Sequence, residues 1–172
     1  SLTFLFTDLK GSTALYERVG DLSAFDLVRA HFHALLDIIS SEGGAVVKTI
    51  GDAVMATFVT PEQGLAAALR MREAMDTLNE QRGTKDLVLK IGIHEGPCLA
   101  VMLNERQDYF GQTVNIAARV QGLSVSQAIH VTGPIIETPA VAAMLDKASI
   151  SPIRKHAALR GIADKVVVFE IP

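Results

Sequence analysis

The chain has 172 residues, of which 49% are hydrophobic, and it can therefore bury the core of one domain of ordinary size. Its net charge of −3 with neutral histidines gives no broad basic face, which argues against nucleic acid or anionic lipid as partners. The single cysteine, Cys98, excludes an internal disulfide and a CxxC metal site, and favours a reducing, cytoplasmic location. No apolar run reaches the roughly 18 residues of a membrane span, so we expect no membrane contact from this segment.

The first elements predicted from the sequence are a strand and a long helix. Residues 3–7 predict a strand that is already under way at the first residue, which suggests a piece cut from a longer protein. The helix is indicated by apolar residues three and four positions apart: Phe25, Val28, Phe32, Leu35, Leu36 and Ile39. We expect this stripe, including both phenylalanines, to lie in the core.

A hairpin and a second helix follow. Residues 45–50 and 53–59 predict two strands joined by a tight turn at Gly51 and Asp52. The next helix has three cues to its start, an N-cap, a proline at the first helical position and a capping-box glutamine, at Thr60, Pro61 and Gln63.

The second half of the sequence predicts four more strands and one helix. The strands are at 87–94, 97–103, 129–132 and 166–171, and the helix at 114–121 ends before Gly122. We expect 97–103 to continue the central sheet. The order β-α-β-β-α-β, followed by a further helix and strands, predicts a ferredoxin-like α/β sandwich, in which helices flank a mainly antiparallel sheet. No linker divides residues 1–172, so we expect one domain.

The first candidate site residue is Asp8, which follows the first strand and precedes a helix. Amides around Gly11, Ser12 and Thr13 would lie at the amino end of that helix, where phosphate oxygens bind. Considered alone, Asp8 is better explained as a plain helix cap, because Asp is a favoured cap residue.

The second candidate is Asp52, at the tip of the predicted hairpin. Gly-Asp is ordinary turn chemistry, and by itself it indicates only a turn. In a ferredoxin-like sheet, however, the first strand and this hairpin are neighbours, so Asp8 and Asp52 can converge. Two carboxylates at one sheet edge suit Mg²⁺ or Mn²⁺ that carries substrate phosphates.

Three further polar side chains could contact a ligand. Lys48 lies on the hairpin among apolar residues, either as a donor to a partner or as a solvated strand lysine. Asn115 and Arg119 are four residues apart and share one helix face, where an amide and a cation could orient a sugar and neutralise a phosphate. A solvated helix face is the alternative for this pair.

Several segments together resemble the class III nucleotidyl cyclase catalytic domain, of the adenylate cyclase type. The resemblance covers essentially the whole chain, in the family's order, and is carried by residues 6–13, 48–56, 91–96, 108–119 and 159–161. It implies an enzyme that converts ATP to 3′,5′-cyclic AMP and pyrophosphate.

The resemblance also implies a role for each matching residue. Asp8 and Asp52 correspond to the carboxylates that hold two divalent cations, Mg²⁺ or Mn²⁺. Lys48 and Asp108 correspond to the pair that reads the purine base. Lys48 can donate to adenine N1 and Asp108 can accept from adenine N6, whereas guanine presents the opposite polarity at both positions.

The phosphate and ribose contacts are implied in the same way. Asn115 corresponds to the residue that orients the ribose, and Arg119 to the one that stabilises charge at the α-phosphate. The family usually supplies one more cation for the terminal phosphates; Arg160 is the favoured candidate, with Lys155 and Lys165 as alternatives.

The resemblance implies a homodimer, because the family's sites combine the metal carboxylates of one protomer with the other four residues of its partner. The alternatives are a catalytically silent cyclase-homology module that binds nucleotide or only dimerises, and a diguanylate cyclase. The silent module usually lacks one of the six polar residues, which this chain keeps. The Gly-Gly-Asp/Glu-Glu-Phe hairpin of the second class is absent. Any sensor or membrane anchor would belong to a longer protein.

Overall fold

The computed structural model describes residues 1–125 and 127–172. Its strands are β1 (Leu2–Leu9), β2 (Ala45–Ile50), β3 (Ala53–Phe58), β4 (Leu89–Gly96), β5 (Leu99–Leu103), β6 (Arg106–Phe110), β7 (Ile129–Thr132), β8 (Ile153–Ala157) and β9 (Val166–Ile171). Its helices are α1 (Ser12–Val19), α2 (Asp21–Ser41), α3 (Pro61–Arg82), α4 (Gln112–Gly122), α5 (Gly133–Ile136) and α6 (Pro139–Lys147). Within these two ranges, no helix is both long and apolar enough to cross a bilayer.

Seven strands form one sheet in the order β2-β3-β1-β4-β7-β9-β8. Every pairing in it is antiparallel except β4 with β7, and helices cover the sheet, so the predicted ferredoxin-like fold is confirmed. The antiparallel pairing of β1 with β3 places the end of β1 beside the β2–β3 turn, because Thr7 lies opposite Val54. The topology therefore brings the two predicted metal carboxylates to one edge.

The expectation that residues 97–103 continue this sheet is wrong. Residues Leu99–Leu103 form β5, which pairs only with β6 in a separate two-stranded hairpin. Pro97 has no N–H to donate, so the chain leaves the ladder at this point. The turn of the hairpin holds Asn104 at φ 50° and Glu105 at φ 63°. Glutamate is uncommon in that conformation, which concealed strand β6 from sequence analysis.

Two apolar layers sandwich the sheet. On one face, Leu5 and Leu9 of β1 belong to a large cluster with α2 and α3. On the other face, Phe4 and Phe6 pack against Ala117 of α4. This alternation along β1 follows from the two-residue period of a strand and buries both faces of the central strand.

Helix α3 begins as its sequence predicts. The Gln63 N–H donates to Thr60 Oγ1 at 3.3 Å, and the Thr60 N–H donates to Gln63 Oε1 at 3.2 Å, which completes the capping box.

The predicted core stripe of α2 is wrong in part. Phe25 is 58% exposed and Leu36 is 40% exposed, whereas His31 is completely buried. The true core face of the helix is rotated by about one residue, and is formed by Ala24, Leu27, Val28, His31, Leu35, Ile38 and Ile39. The prediction placed Phe25 in the core because phenylalanine is more hydrophobic than alanine or histidine. Packing against α3 and the sheet instead determines which face of α2 is buried.

Candidate active site

The carboxyl groups of Asp8 and Asp52 are hydrogen-bonded to each other. Asp8 lies next to the last residue of β1, and Asp52 lies in the turn between β2 and β3. The Leu9 backbone N–H donates to both carboxyls, and the Ser12 hydroxyl donates to Asp52. The two acids predicted to converge therefore form one cluster.

The two carboxyls differ in acidity. Burial, the hydrogen bond to Asp52 and the Asp52 charge raise the pKa of Asp8 to about 6, although the charge of Lys90 on β4 opposes this rise. Burial also raises the pKa of Asp52, but hydrogen bonds from Asp8 and Ser12 and the charge of His31 outweigh it, so that this pKa lies below its usual value. Without a cation, the pair therefore holds a proton on Asp8 up to about pH 6.

This donor set fits a divalent cation. Two carboxylates that must share a proton repel each other when both are ionised, and a cation between them would relieve that repulsion. The part of the chain that the structure describes contains no cluster of three His, Cys, Asp or Glu side chains. A cation here would therefore take its other ligands from substrate phosphates, water or backbone carbonyls, as Mg²⁺ commonly does.

The amino end of α1 lies beside the acids. Gly11 is its N-cap residue at φ 68° and ψ 30°, a left-handed conformation that glycine adopts without strain, and no side chain caps the helix. The Ser12 hydroxyl contacts Asp52, so this helix end and the carboxylate pair face the same space. Thr13 follows on the exposed side of the first turn.

A second cluster joins β2 to the β5–β6 hairpin. The Lys48 Nζ donates to Asp108 Oδ2 at 2.7 Å, and the Tyr109 N–H donates to Asp108 Oδ1 at 2.8 Å. The hydrogen bond from Lys48 lowers the pKa of Asp108, which keeps this carboxylate ionised. The Tyr109 ring packs edge-on against Phe4, with centroids 5.5 Å apart, and anchors β6 on the α4 face of the sheet. The pair opens on a cavity of about 510 Å³.

Asn115 and Arg119 lie one turn apart on the exposed side of α4. The opposite side of this helix approaches β4 so closely that a Cβ at Gly92 would lie 2.2 Å from the Gln121 backbone nitrogen. Asn115 Nδ2 donates to Gln112 Oε1 at 3.4 Å, and Arg119 makes no ion pair with any residue that the structure describes. Both functional groups are available to a ligand.

The late cations are on the β8–β9 hairpin. Arg160 is exposed in its loop, directly after the buried Leu159. Lys155 is held in a 2.9 Å ion pair with Glu170, which makes it a poorer phosphate ligand than Arg160. Lys165 is exposed just before β9.

Among the described residues, no hydrogen bond or ion pair joins the Asp8–Asp52 pair to Lys48, Asp108, Asn115 or Arg119. The pKa values of Asp8 and Asp52 respond instead to Ser12, His31 and Lys90. Sequence reasoning missed the Ser12 hydroxyl, His31 and Lys90 as neighbours of the acids. The pairing of β1 with β4 places Lys90 opposite Asp8, so a correct prediction of this strand register would have identified Lys90 as a neighbour.

The chain is similar in sequence to known proteins. Residues 1–168 match the family described as the adenylate and guanylate cyclase catalytic domain. Adenylate cyclase from Anabaena cylindrica is 28% identical over 99% of the chain, and adenylate cyclase 2 from Rhizobium meliloti is 34% identical over 70% of it. The chain spans 36% of the length of each of these two relatives.

A solved structure shows the same fold. The adenylyl cyclase CyaB from P. aeruginosa superposes with a TM-score of 0.83 at 25% identity, over 99% of this chain and 93% of that one. The chain belongs to the adenylate and guanylate cyclase catalytic domain family, the class III nucleotidyl cyclases.

Proposed function

We propose that the chain is the catalytic domain of a cytoplasmic adenylate cyclase, which converts ATP to 3′,5′-cyclic AMP and pyrophosphate at two sites shared by a homodimer. The observation that carries this proposal is the Lys48–Asp108 pair. Its cationic donor and ionised acceptor lie side by side, 2.7 Å apart, at the mouth of one cavity.

The polarity of this pair matches adenine. Lys48 donates to N1, which has a lone pair, and Asp108 accepts from the N6 amino group. Guanine presents a donor at N1 and an acceptor at O6, so it would meet like polarity at both positions. Because Asp108 stays ionised beside Lys48, it cannot donate to O6. Mismatched buried hydrogen bonds discriminate by several kcal/mol, about a thousandfold or more in rate.

Asp8 and Asp52 would hold two divalent cations against the triphosphate. Bound there, these cations would lower the pKa of the ribose 3′-hydroxyl and would neutralise charge on the phosphates. The amides of Gly11, Ser12 and Thr13 add backbone donors for phosphate oxygens at the positive end of α1.

The residues on α4 complete the step. Asn115 orients the ribose so that its 3′-oxygen lies in line with the bond between the α-phosphorus and the leaving pyrophosphate. Arg119 donates to the oxygens of the α-phosphate, where negative charge builds up as the new bond forms and the old one breaks. Arg160 contacts the terminal phosphates that leave as pyrophosphate.

In this proposal a second copy of the chain unites these groups, because among the described residues no hydrogen bond or ion pair links the acids to the other four residues within one copy. The β5–β6 hairpin supports association. It is isolated from the main sheet, and it exposes 67% of Leu99, 67% of Met102 and 51% of Leu103. An exposed apolar surface on a two-stranded hairpin is typical of a contact with another protein.

The test is product formation by the purified chain with Mg²⁺ or Mn²⁺, with ATP and GTP in parallel, across a range of protein concentrations. We expect cyclic AMP from ATP, little cyclic GMP, and a specific activity that rises with concentration. A folded dimer that produces no cyclic AMP with either metal would instead be a silent nucleotide-binding module. Equal turnover of GTP would contradict the role given to Lys48 and Asp108.

A further inference from the structure

The exposed side of α2 carries an apolar stripe that the core does not use. Phe25 is 58% exposed, Leu36 is 40% exposed, and Phe32 is only partly buried. Residues seven and four positions apart lie on one face of a helix, so the three side chains follow one another along α2. A contiguous apolar surface of this kind marks a place where a ligand or another molecule binds.

The stripe lines a groove of about 590 Å³. Tyr16 of α1 and the β2–β3 turn, through Gly51 and Asp52, also line this groove. A groove of this volume, with an apolar and aromatic lining and a few polar groups, is typical of a site for a small organic molecule. A protein partner instead needs a contact face of about 800 Å² on each side. The dimensions of the groove therefore favour a small ligand.

Two polar side chains in the lining can bind an anion. Arg29 and His33 lie one turn apart on α2, and both line the groove. Neither makes an ion pair with any residue that the structure describes. Asp26, three residues before Arg29 on the same helix, is paired with Arg82 instead. The guanidinium is thus free to bind a carboxylate through two parallel N–H bonds.

Asp52 is the one acid among the described residues that line the groove. Its carboxyl is engaged elsewhere, in hydrogen bonds with Asp8 and Ser12. The turn that holds Asp52 nevertheless forms part of the wall, together with Gly51. A ligand in the groove therefore touches the segment that positions one of the two proposed metal ligands.

We propose that this groove binds a small aromatic carboxylate, and that the bound anion regulates the cyclase. The aromatic body of the ligand packs against Phe25, Phe32 and Leu36. Its carboxylate accepts from the Arg29 guanidinium and from a ring N–H of His33. The binding does not depend on the proposed function, whereas the regulation rests on it.

The test of binding compares 2-naphthoate with its neutral amide, 2-naphthamide, so that the two probes differ at one polar group. Titration of the ¹⁵N-labelled chain, followed by NMR, measures both dissociation constants. We expect naphthoate to bind about 10-fold more tightly than naphthamide, because its hydrogen bonds to Arg29 are charge-assisted. The amide resonance of Gly51 should shift as either probe binds, because this residue lines the groove.

Two exposed residues give variants that should remain folded. Arg29→Gln should remove the preference for naphthoate, and Phe25→Ala should weaken both probes by about 10-fold through lost apolar contact. Arg154→Gln, an exposed arginine on β8, is the matched control and should keep the wild-type preference.

Equal affinity of wild type for the two probes would overturn the inference, and so would a preference that survives Arg29→Gln. If neither probe binds and Phe25→Ala sediments more as monomer than wild type does, the groove is a contact with a second copy and the inference is wrong.

The regulation is tested by cyclic AMP formation at saturating naphthoate. We expect the wild-type rate to change by about fivefold and the Arg29→Gln rate to stay constant. An unchanged wild-type rate with naphthoate bound would contradict the regulation alone. A wild-type protein that makes no cyclic AMP without naphthoate would contradict the proposed function and the regulation with it, whereas the NMR titration would still decide the binding.

Discussion

At the scale of single residues, the site combines side chains whose neighbours set their charge. Lys48 keeps Asp108 ionised, and burial beside Asp52 raises the pKa of Asp8 to about 6. Arg119 is held in no ion pair with the described residues, so its full charge is available to a phosphate. These states suit the roles that we propose for a base reader, a metal site and a phosphate ligand.

Arg119→Ala should reduce kcat by about 100- to 1,000-fold while the KM for ATP changes little, because the side chain is assigned to charge that develops in the transition state. Steady-state kinetics with saturating Mn²⁺ measure both constants. Arg154→Ala, an exposed arginine on β8, is the matched control and should keep wild-type kcat. A raised KM with unchanged kcat would assign Arg119 to ground-state binding only.

Asp108→Asn should reduce kcat/KM for ATP by about 10-fold or more and narrow the preference for ATP over GTP. The amide can donate to guanine O6, whereas the carboxylate cannot. Competition assays with both nucleotides measure the ratio of kcat/KM for ATP to kcat/KM for GTP directly. Asp146→Asn, on the exposed side of α6, should leave the ratio unchanged. A variant that still prefers ATP to the wild-type degree would show that Asp108 does not read the base.

At the scale of elements, the β5–β6 hairpin is the least expected feature. In this hairpin Asp108 of β6 lies opposite Val101 of β5. The strand that carries Asp108 is therefore part of the hairpin and not of the main sheet. The other strand of the hairpin, β5, exposes the apolar residues Leu99, Met102 and Leu103. We propose that this hairpin contributes to dimer formation.

Met102→Lys should weaken the dimer without unfolding the chain, because the side chain is 67% exposed and contributes little to the core. Sedimentation at several concentrations should show a shift towards monomer, with an unchanged circular dichroism spectrum and lower specific activity. Ile153→Lys, on the opposite edge strand β8, is the control and should dimerise normally. An unchanged dimer in the hairpin variant would place the interface elsewhere.

At the scale of the whole molecule, buried neutral histidines couple stability to pH. His94 is 9% exposed, its Nδ1 lies 2.5 Å from Thr132 Oγ1, and burial lowers its pKa to about 4. Burial also lowers the pKa values of His31 and His130. The unfolded chain therefore binds more protons than the folded one below about pH 6.5, and stability falls as the pH drops from 6.5 towards 4.

Between pH 7 and pH 5, His94→Gln should lose less free energy of unfolding than wild type. The difference should be on the order of 2 kcal/mol, because glutamine does not titrate. Urea unfolding of both proteins at pH 7 and pH 5 gives the difference. The raised pKa of Asp8 acts in the opposite direction, but it is present in both proteins and cancels in the comparison. If the free energy of unfolding changes equally with pH in the two proteins, His94 is not protonated on unfolding.

Most strands of the sheet can be predicted from the sequence, because alternating apolar residues and the glycines and prolines of turns are local signals. The capping box at Thr60 and the convergence of Asp8 with Asp52 both follow from such signals and from strand adjacency. The core face of α2 could not be predicted, because a buried histidine breaks the apolar pattern and Phe25 lies outside it. Strand β6 was hidden by a left-handed Glu105, which carries no turn signature.

The most direct test of a shared site mixes two inactive proteins, Asp8→Ala and Arg119→Ala, after dissociation and reassociation. Each variant alone has two defective sites, whereas a mixed dimer has one intact site. With random pairing of equal amounts, half of the dimers are mixed, so cyclic AMP formation should recover to about a quarter of the wild-type rate. Mixed dimers that are demonstrated by mass spectrometry but form no cyclic AMP would contradict the account.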